Sequence, residues 1–163
     1  MGIREEIQTH IKESLKEKQT ERLLSLRFVW DFILKKEKDK RLKLIQSGLS
    51  EEEATKKGQL SDQEIQSLIS SFIKKDKDAL AQFRQAGRED LAKKEEQDIE
   101  TLSSYLPEQL SKDELIVVVK EGIQESGAKD IKDMGKVIKT VIAKTQGRAN
   151  GAEISQLVKE LLS

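Results

Sequence analysis

Residues 105–115 read Tyr105-Leu106-Pro107-Glu108-Gln109-Leu110-Ser111-Lys112-Asp113-Glu114-Leu115. Pro107 predicts the end of the preceding helix, because proline moves the residue before it out of the α region. Ser111 followed by Glu114 is a capping box, in which the serine hydroxyl and the glutamate carboxylate both accept from backbone N–H groups. One helix therefore stops here and another starts, and we expect a domain boundary at Pro107.

Apolar residues recur every three or four positions on both sides of this boundary, which is typical of amphipathic helices. The helix expected from about residue 20 is the most apolar, and we place it at the centre of a bundle with Phe28, Trp30 and Phe32 in the core. A connection follows over residues 41–58, in which Ser50 and Glu53 form a capping box that could start a short helix. Ser61 and Glu64 form another capping box at the start of the third long helix, and Gly87 is expected to end that helix. The apolar faces of the first, second and third long helices are Ile3, Ile7, Ile11 and Leu15; Leu23, Leu24, Leu26, Phe28, Trp30, Phe32, Ile33 and Leu34; and Ile65, Leu68, Ile69, Phe72 and Ile73.

After Pro107 the pattern predicts three short helices. The first starts at Ser111 and is closed by Gly127, the second covers about residues 133–146, and Asn150 caps the third. Glycine suits these ends because it adopts the left-handed conformation that closes many helices. We therefore predict an all-α fold with two domains: long helices over 1–106 and a compact three-helix domain over 107–163.

Composition narrows the function classes. The 163 residues are 37% charged and 36% apolar, thirty basic side chains balance thirty acidic ones, and cysteine is absent. Disulfides, thiolate chemistry and cysteine-based metal sites are excluded, and no global basic field attracts nucleic acid. No apolar run has the length of a signal peptide or a membrane span. We expect a cytoplasmic protein without a membrane partner.

Catalytic signatures are missing from the sequence. His10 is the one histidine, it has no recognisable catalytic partner, and it cannot build a familiar zinc site without cysteine. Neither the phosphate-binding loop nor the dinucleotide glycine pattern occurs. We therefore predict no catalytic residue, no metal and no cofactor.

Basic residues do cluster locally in the last third of the chain. Lys132, Lys136 and Lys139 are spaced by four and three residues, which puts them on one face of a helix. Lys144 and Arg148 are expected to extend this face toward the loop at Gly147. Such a surface could hold an RNA backbone at two or three phosphates, and it could equally be an ordinary solvated face.

Several motifs in order resemble one family. The run of residues 60–115, the stretch Asp133-Met134-Gly135-Lys136-Val137 and the stretch Gly147-Arg148-Ala149-Asn150-Gly151 are similar to the GatB/YqeY family, in particular to its free-standing YqeY-like members. The resemblance implies a helical N-terminal domain and a small helical domain similar to the tail of the aminoacyl-tRNA amidotransferase B subunit. That tail contacts tRNA, whereas the chemistry of the enzyme resides elsewhere. By position, the motif residues are Gly135, Lys136, Gly147, Arg148 and Gly151.

Three functions remain open at this point. The first is a non-catalytic accessory protein that binds tRNA or other RNA, as the lysines favour. The second is a protein–protein adaptor that docks through its N-terminal helices. The third is a glutamine-dependent carbon–nitrogen ligase, alone or as an amidotransferase-type subunit, which the missing nucleophile and nucleotide site disfavour.

Overall fold

The computed structural model describes residues 1–163 and confirms the all-α class. Eight α-helices and one 3₁₀ turn make up the structure, and no strand is present. The helices are α1 (Ile3–Lys16), α2 (Thr20–Gln46), α3 (Glu51–Lys57), α4 (Asp62–Gln85), α5 (Glu89–Ser103), α6 (Lys112–Ser126), α7 (Met134–Thr145) and α8 (Gly151–Leu162), and the 3₁₀ turn is Ile131–Asp133. No helix has both the length and the apolar character that crossing a bilayer requires.

The chain forms two compact units, Met1–Tyr105 and Leu106–Ser163. In the first, α1, α2, α4 and α5 enclose a core in which Leu26 and Ile33 of α2 and Ile65 and Ile69 of α4 are fully buried. The guanidinium of Arg4 makes two hydrogen bonds to the carboxylate of Glu37, at 3.0 and 3.1 Å, and ties α1 to α2. Apolar burial and this bridge fix the helices of the unit.

Local signals in the sequence located the helix starts. Ser50, Ser61 and Ser111 each form the expected capping box at the start of α3, α4 and α6. Gly87 and Gly127 follow α4 and α6 with φ values of 71° and 67°, a region that disfavours side chains. These predictions are confirmed. They could be made from the sequence because capping depends on residues a few positions apart.

The prediction for α2 was wrong in two respects. The helix continues to Gln46, so residues 41–46 belong to it and not to a connection. Nothing in Arg-Leu-Lys-Leu-Ile-Gln breaks a helix, and the first glycine comes at Gly48. Phe28 and Phe32 are not core residues but are 53% and 36% exposed, because α2 packs inward through Leu26, Val29 and Ile33. Leu15, Leu24 and Leu34 are likewise exposed.

The second unit is a three-helix arrangement around its own core. The buried residues come from all three helices: Leu115, Val119, Val137, Val141, Ile154, Leu157 and Val158. Asn150 caps α8 through a 2.8 Å hydrogen bond that its side chain accepts from the Ala152 N–H. Gln146 and Gly147 both have positive φ, at 48° and 81°, and end α7. The core holds α7 with one face inward, which sets what its other face presents.

Candidate nucleic-acid interface

The lysine face, defined here as Lys132, Lys136 and Lys139, lies on the outer side of the second unit. Lys132 belongs to the 3₁₀ turn and the other two belong to α7. Val137 and Val141 are fully buried on the inner side of α7, so the lysines lie on the opposite side, and all three are exposed. None takes part in an ion pair within the chain. Three positive charges are thus presented to solvent.

The acids nearest to the lysine face in sequence are engaged with the backbone. Asp130 accepts a 2.8 Å hydrogen bond from the Lys132 N–H and caps the 3₁₀ turn. The carboxylate of Asp133 accepts from the Lys129 N–H at 3.0 Å. Both carboxylates shape the turn that leads into α7, and neither forms an ion pair with a lysine of the face. Their charges reduce the local positive field but leave the ammonium groups unpaired.

Lys144 points away from the lysine face. It is eight residues after Lys136 on α7, and its ammonium group lies 2.5 Å from the Glu125 carboxylate and 3.6 Å from that of Glu121 on α6. The hydrogen bond that Lys144 donates to Glu125, aided by the negative charges of Glu125 and Glu121, raises the pKa of Lys144. Lys144 therefore connects α7 to α6, and its charge is balanced within the unit.

Arg148 joins two of the sequence motifs. Its Nε–H donates to the carbonyl of Glu108 at 3.1 Å, and its own carbonyl accepts from the Leu110 N–H at 2.7 Å. The Gln109 side chain donates to the Gly147 carbonyl at 3.1 Å. The motif at residues 105–111 and the motif at residues 147–151 therefore hold each other in place. This role was not predicted, because periodicity does not report contacts between distant loops.

The backbone conformation explains one of the three motif glycines. Gly147 is left-handed at a φ of 81°, which favours glycine over other residues. Gly135 and Gly151 have negative φ and open space around the position of an added Cβ atom. Gly135 is exposed beside Lys136, so the backbone of α7 is uncovered next to the lysine face. No steric requirement of the fold explains glycine at positions 135 and 151.

Two further polar clusters lie in the first unit. His10 Nδ1 lies 2.6 Å from the hydroxyl of Tyr105, and burial raises the pKa of this tyrosine to about 12. Burial, together with the neighbouring carboxylates of Glu95 and Asp98, raises the pKa of Asp76 to about 6. No group of three or more histidine or acidic side chains is arranged to hold a metal ion. The periodic pattern gave no sign of Asp76, whose acidic neighbours belong to another helix.

The family model of the Yqey-like protein matches residues 34–162. This chain belongs to the YqeY-like family. The matched region includes the C-terminal half of α2, all of α3 to α8 and every residue of the lysine face. The resemblance inferred from the motifs is therefore confirmed at the level of the family.

Two relatives of this YqeY-like protein come from fungi. Over 70 residues it is 40% identical to Uncharacterized protein C22F3.15 of Schizosaccharomyces pombe, an alignment that spans 43% of this chain and 57% of the relative. Over 127 residues it is 29% identical to Altered inheritance of mitochondria protein 41, mitochondrial, of Pyrenophora tritici-repentis, spanning 74% of this chain and 68% of the relative. The chain thus spans a little over half of the first relative and about two thirds of the second.

Proposed function

We propose that this YqeY-like protein is a non-catalytic accessory protein that binds the phosphate backbone of tRNA or other RNA through the lysine face. The observation that carries the proposal is the exposure of three unpaired ammonium groups on the side of α7 opposite its buried valines. The resemblance to the tRNA-contacting tail of the amidotransferase supports the same surface. The sequence analysis expected Lys144 and Arg148 to extend the lysine face. In this proposal they instead contribute to the fold of the second unit.

Electrostatics explains why such a face suits a phosphate backbone. Each lysine that neutralises a phosphate releases a condensed counterion, so the affinity falls as salt rises. The formal net charge of +0 means that long-range attraction by the whole protein is weak. The attraction is therefore local, and removing two lysines should remove most of it. Phosphate contacts position a protein without reading bases, so sequence preference is expected to be low.

The test is binding of labelled bulk tRNA at two salt concentrations. Lys136→Glu combined with Lys139→Glu should weaken binding at least tenfold. It should also lower the slope of log affinity against log salt by roughly 0.7–0.9 for each lost contact. The melting temperature should stay nearly unchanged, because exposed charges contribute little to folding.

A matched charge control is available on α1. Lys12→Glu combined with Lys16→Glu changes the net charge by the same amount at two exposed lysines of the first unit. We expect this variant to bind tRNA like the unsubstituted protein. Equal loss in both double variants would mean diffuse attraction without a site. No loss in either would leave the lysine face as a solvated surface and reject the proposal.

A protein–protein adaptor is the second candidate function. The exposed aromatic side chains of Phe28 and Phe32 on α2 favour it, since large apolar surface exposed to water often marks an interaction site.

The cytoplasm stays the predicted compartment. The Pyrenophora relative is mitochondrial by its name, and imaging a fluorescent fusion against a mitochondrial stain distinguishes the two compartments.

A further inference from the structure

The solvent side of α2 carries an unusual aromatic surface in the first unit. Phe28 and Phe32 lie one turn apart, with Leu24 one turn before them, and all three are exposed. The rings of Phe28 and Phe32 contact the ring of Phe72 on α4, with centroid separations of 5.3 and 5.0 Å. The chain has four phenylalanines. Half of them are thus exposed on one side of one helix, which solvation alone does not favour.

A groove between α2 and α4 lies further along the two helices, and Lys36 in its wall is one turn after Phe32 on α2. It has a volume of about 720 Å³, and Leu68 and Ser71 in its wall lie next to Phe72 along α4. The Lys40 ammonium pairs with Glu64 at 3.0 Å. Lys36 and Lys43 line the groove without an ion pair, and Asp39 is the other carboxylate in its wall. Lys75 lies over the Phe72 ring, 5.9 Å from its centroid. The groove wall thus carries three lysines and two carboxylates, and the aromatic rings lie next to the groove along α2 and α4.

The ring geometry distinguishes between possible occupants. The Phe28 and Phe32 planes meet at 53°, and they meet the plane of Phe72 at 60° and 75°. Single-stranded nucleic acid is bound by stacking of successive bases on aromatic faces. These rings instead pack on one another in the tilted arrangement that aromatic pairs prefer, and they form one apolar cluster. A second copy of this chain would bring another lysine-edged groove against the first, so like charges would face each other. A partner with apolar and acidic groups matches both the rings and the lysines.

We propose that the groove between α2 and α4 binds an acidic amphipathic helix of another protein. Its apolar side chains pack on the exposed Leu24, Phe28 and Phe32. Its carboxylates pair with Lys36, Lys43 and Lys75. The distance from Phe28 to Lys43 along α2 is about 22 Å, so the bound helix has on the order of 15 residues. This mode of recognition uses anchors at helical spacing. The inference rests on the adaptor role and is independent of RNA binding by the lysine face.

The probe is a fluorescein-labelled helical peptide of about four turns. Leucines lie at every third or fourth position and glutamates elsewhere, and a second peptide carries lysines in place of the glutamates. Fluorescence anisotropy with the full chain should detect the acidic peptide and should show at least tenfold weaker binding of the basic one. Phe28→Ser with Phe32→Ser, and separately Lys36→Glu with Lys43→Glu, should each weaken the acidic peptide at least tenfold.

Control variants distinguish binding in the groove from non-specific binding of the peptide and from unfolding of the protein. Leu34→Ser removes an exposed apolar side chain from another side of α2, and Lys12→Glu with Lys16→Glu reverses charge elsewhere; both should bind the peptide normally. The lysine variants leave the rings intact, so the proposal stays testable even if the phenylalanine variant unfolds.

Each contrary result has a distinct meaning. If the unsubstituted protein binds neither peptide, the adaptor role itself fails for this partner class. If it binds the acidic peptide but both groove variants bind equally well, the adaptor role stands and the groove is the wrong site. If the phenylalanine variant instead loses single-stranded RNA, or if sedimentation shows a dimer that this variant abolishes, the occupant is RNA or a second copy and the proposal is overturned.

Discussion

Gly122 of α6 lies directly against Val141 of α7. A Cβ atom added to the glycine would lie 2.5 Å from Cγ2 of Val141, closer than the non-bonded contacts of Cβ atoms in folded proteins, and both residues are buried. The absence of a side chain at position 122 therefore sets how closely the two helices pack. The lysine face lies on the opposite side of the same α7, so this contact also fixes the position of that face relative to α6.

Gly122→Ala is expected to destabilise the second unit. Alanine improves helix propensity by up to about 1 kcal/mol, but forcing a methyl group into a packed interface costs about 1–3 kcal/mol. The net loss should appear as a lower melting temperature. Gly135→Ala is the matched control, since it also lies on a helix and has open space around its Cβ position. Equal stability of the two variants would show that α6 and α7 can separate without cost.

Asp76 should make the stability of the first unit depend on pH. The pKa of its carboxyl is about 6 in the folded protein against 3.8 for an ordinary aspartate, mainly through burial and then through Glu95 and Asp98. The folded state therefore holds the proton more tightly than the unfolded state. The stabilisation that this proton provides is fully present below about pH 4 and is lost as the pH rises through about 6. Above that pH, Asp76 causes no further change in stability.

Asp76→Asn should remove this loss. At about pH 7.5 we expect a gain of no more than about 1 kcal/mol, because solvent screens a partly exposed carboxylate. At about pH 4 the two proteins should differ less. Thermal unfolding at both pH values measures the difference. Asp78→Asn, at an exposed position of the same helix, is the control: it keeps Asp76 and should therefore keep the pH dependence of the unsubstituted protein. A variant less stable than the unsubstituted protein at the higher pH would contradict the argument.

Tyr105 provides a spectroscopic test of its own environment. It is the one tyrosine of the chain, so the phenolate absorbance band reports this residue alone. Its pKa of about 12 keeps the hydroxyl protonated, and the hydroxyl lies at hydrogen-bond distance, 2.6 Å, from Nδ1 of His10. Alkaline titration should therefore show ionisation well above the ordinary range. Tyr105→Phe should cost about 1 kcal/mol by removing this hydrogen bond. A tyrosine that ionises near pH 10 in the folded protein would refute the buried contact.

Local patterns predicted more of this fold than tertiary patterns did. Capping boxes at Ser50, Ser61 and Ser111 depend on residues three positions apart, so the sequence located them correctly. The exposure of Phe28 depends on which helices pack beside α2, and no periodicity within α2 contains that information. Gly122 shows the same limit: an isolated glycine in a helical pattern is a weak signal, and its reason became visible only with Val141 opposite.

The candidate site was predicted in the same uneven way. Helical spacing predicted that Lys132, Lys136 and Lys139 share one face of a helix; all three are exposed, but Lys132 belongs to the 3₁₀ turn that precedes α7. The spacing could not reveal the carboxylates of Glu121 and Glu125 that balance Lys144, because they belong to a different helix. Nor could it reveal that Arg148 donates to the carbonyl of Glu108, forty residues away in sequence.

The ligase hypothesis leads to a direct enzymatic prediction. The purified protein should release no ammonia from glutamine in the presence of ATP and charged tRNA, since the sequence has neither a cysteine nor a phosphate-binding loop pattern. Ammonia release is measured against a blank without protein. Release that persists through purification and disappears on changing a single residue would establish the activity and reject the non-catalytic function.

The last prediction distinguishes the lysines that face RNA from the lysine that is paired within the unit. Lys139→Gln removes an unpaired exposed charge and should weaken tRNA binding severalfold, with a smaller salt dependence. Lys144→Gln removes an equal charge from the same helix, but that charge is already balanced by Glu125 and Glu121. We therefore expect tRNA affinity within about twofold of the unsubstituted protein. Each variant is titrated with labelled tRNA at two salt concentrations, and melting temperatures confirm that both remain folded. If Lys144→Gln weakens binding as much as Lys139→Gln, the RNA surface extends over the α6 side of α7 and the lysine face is drawn too narrowly.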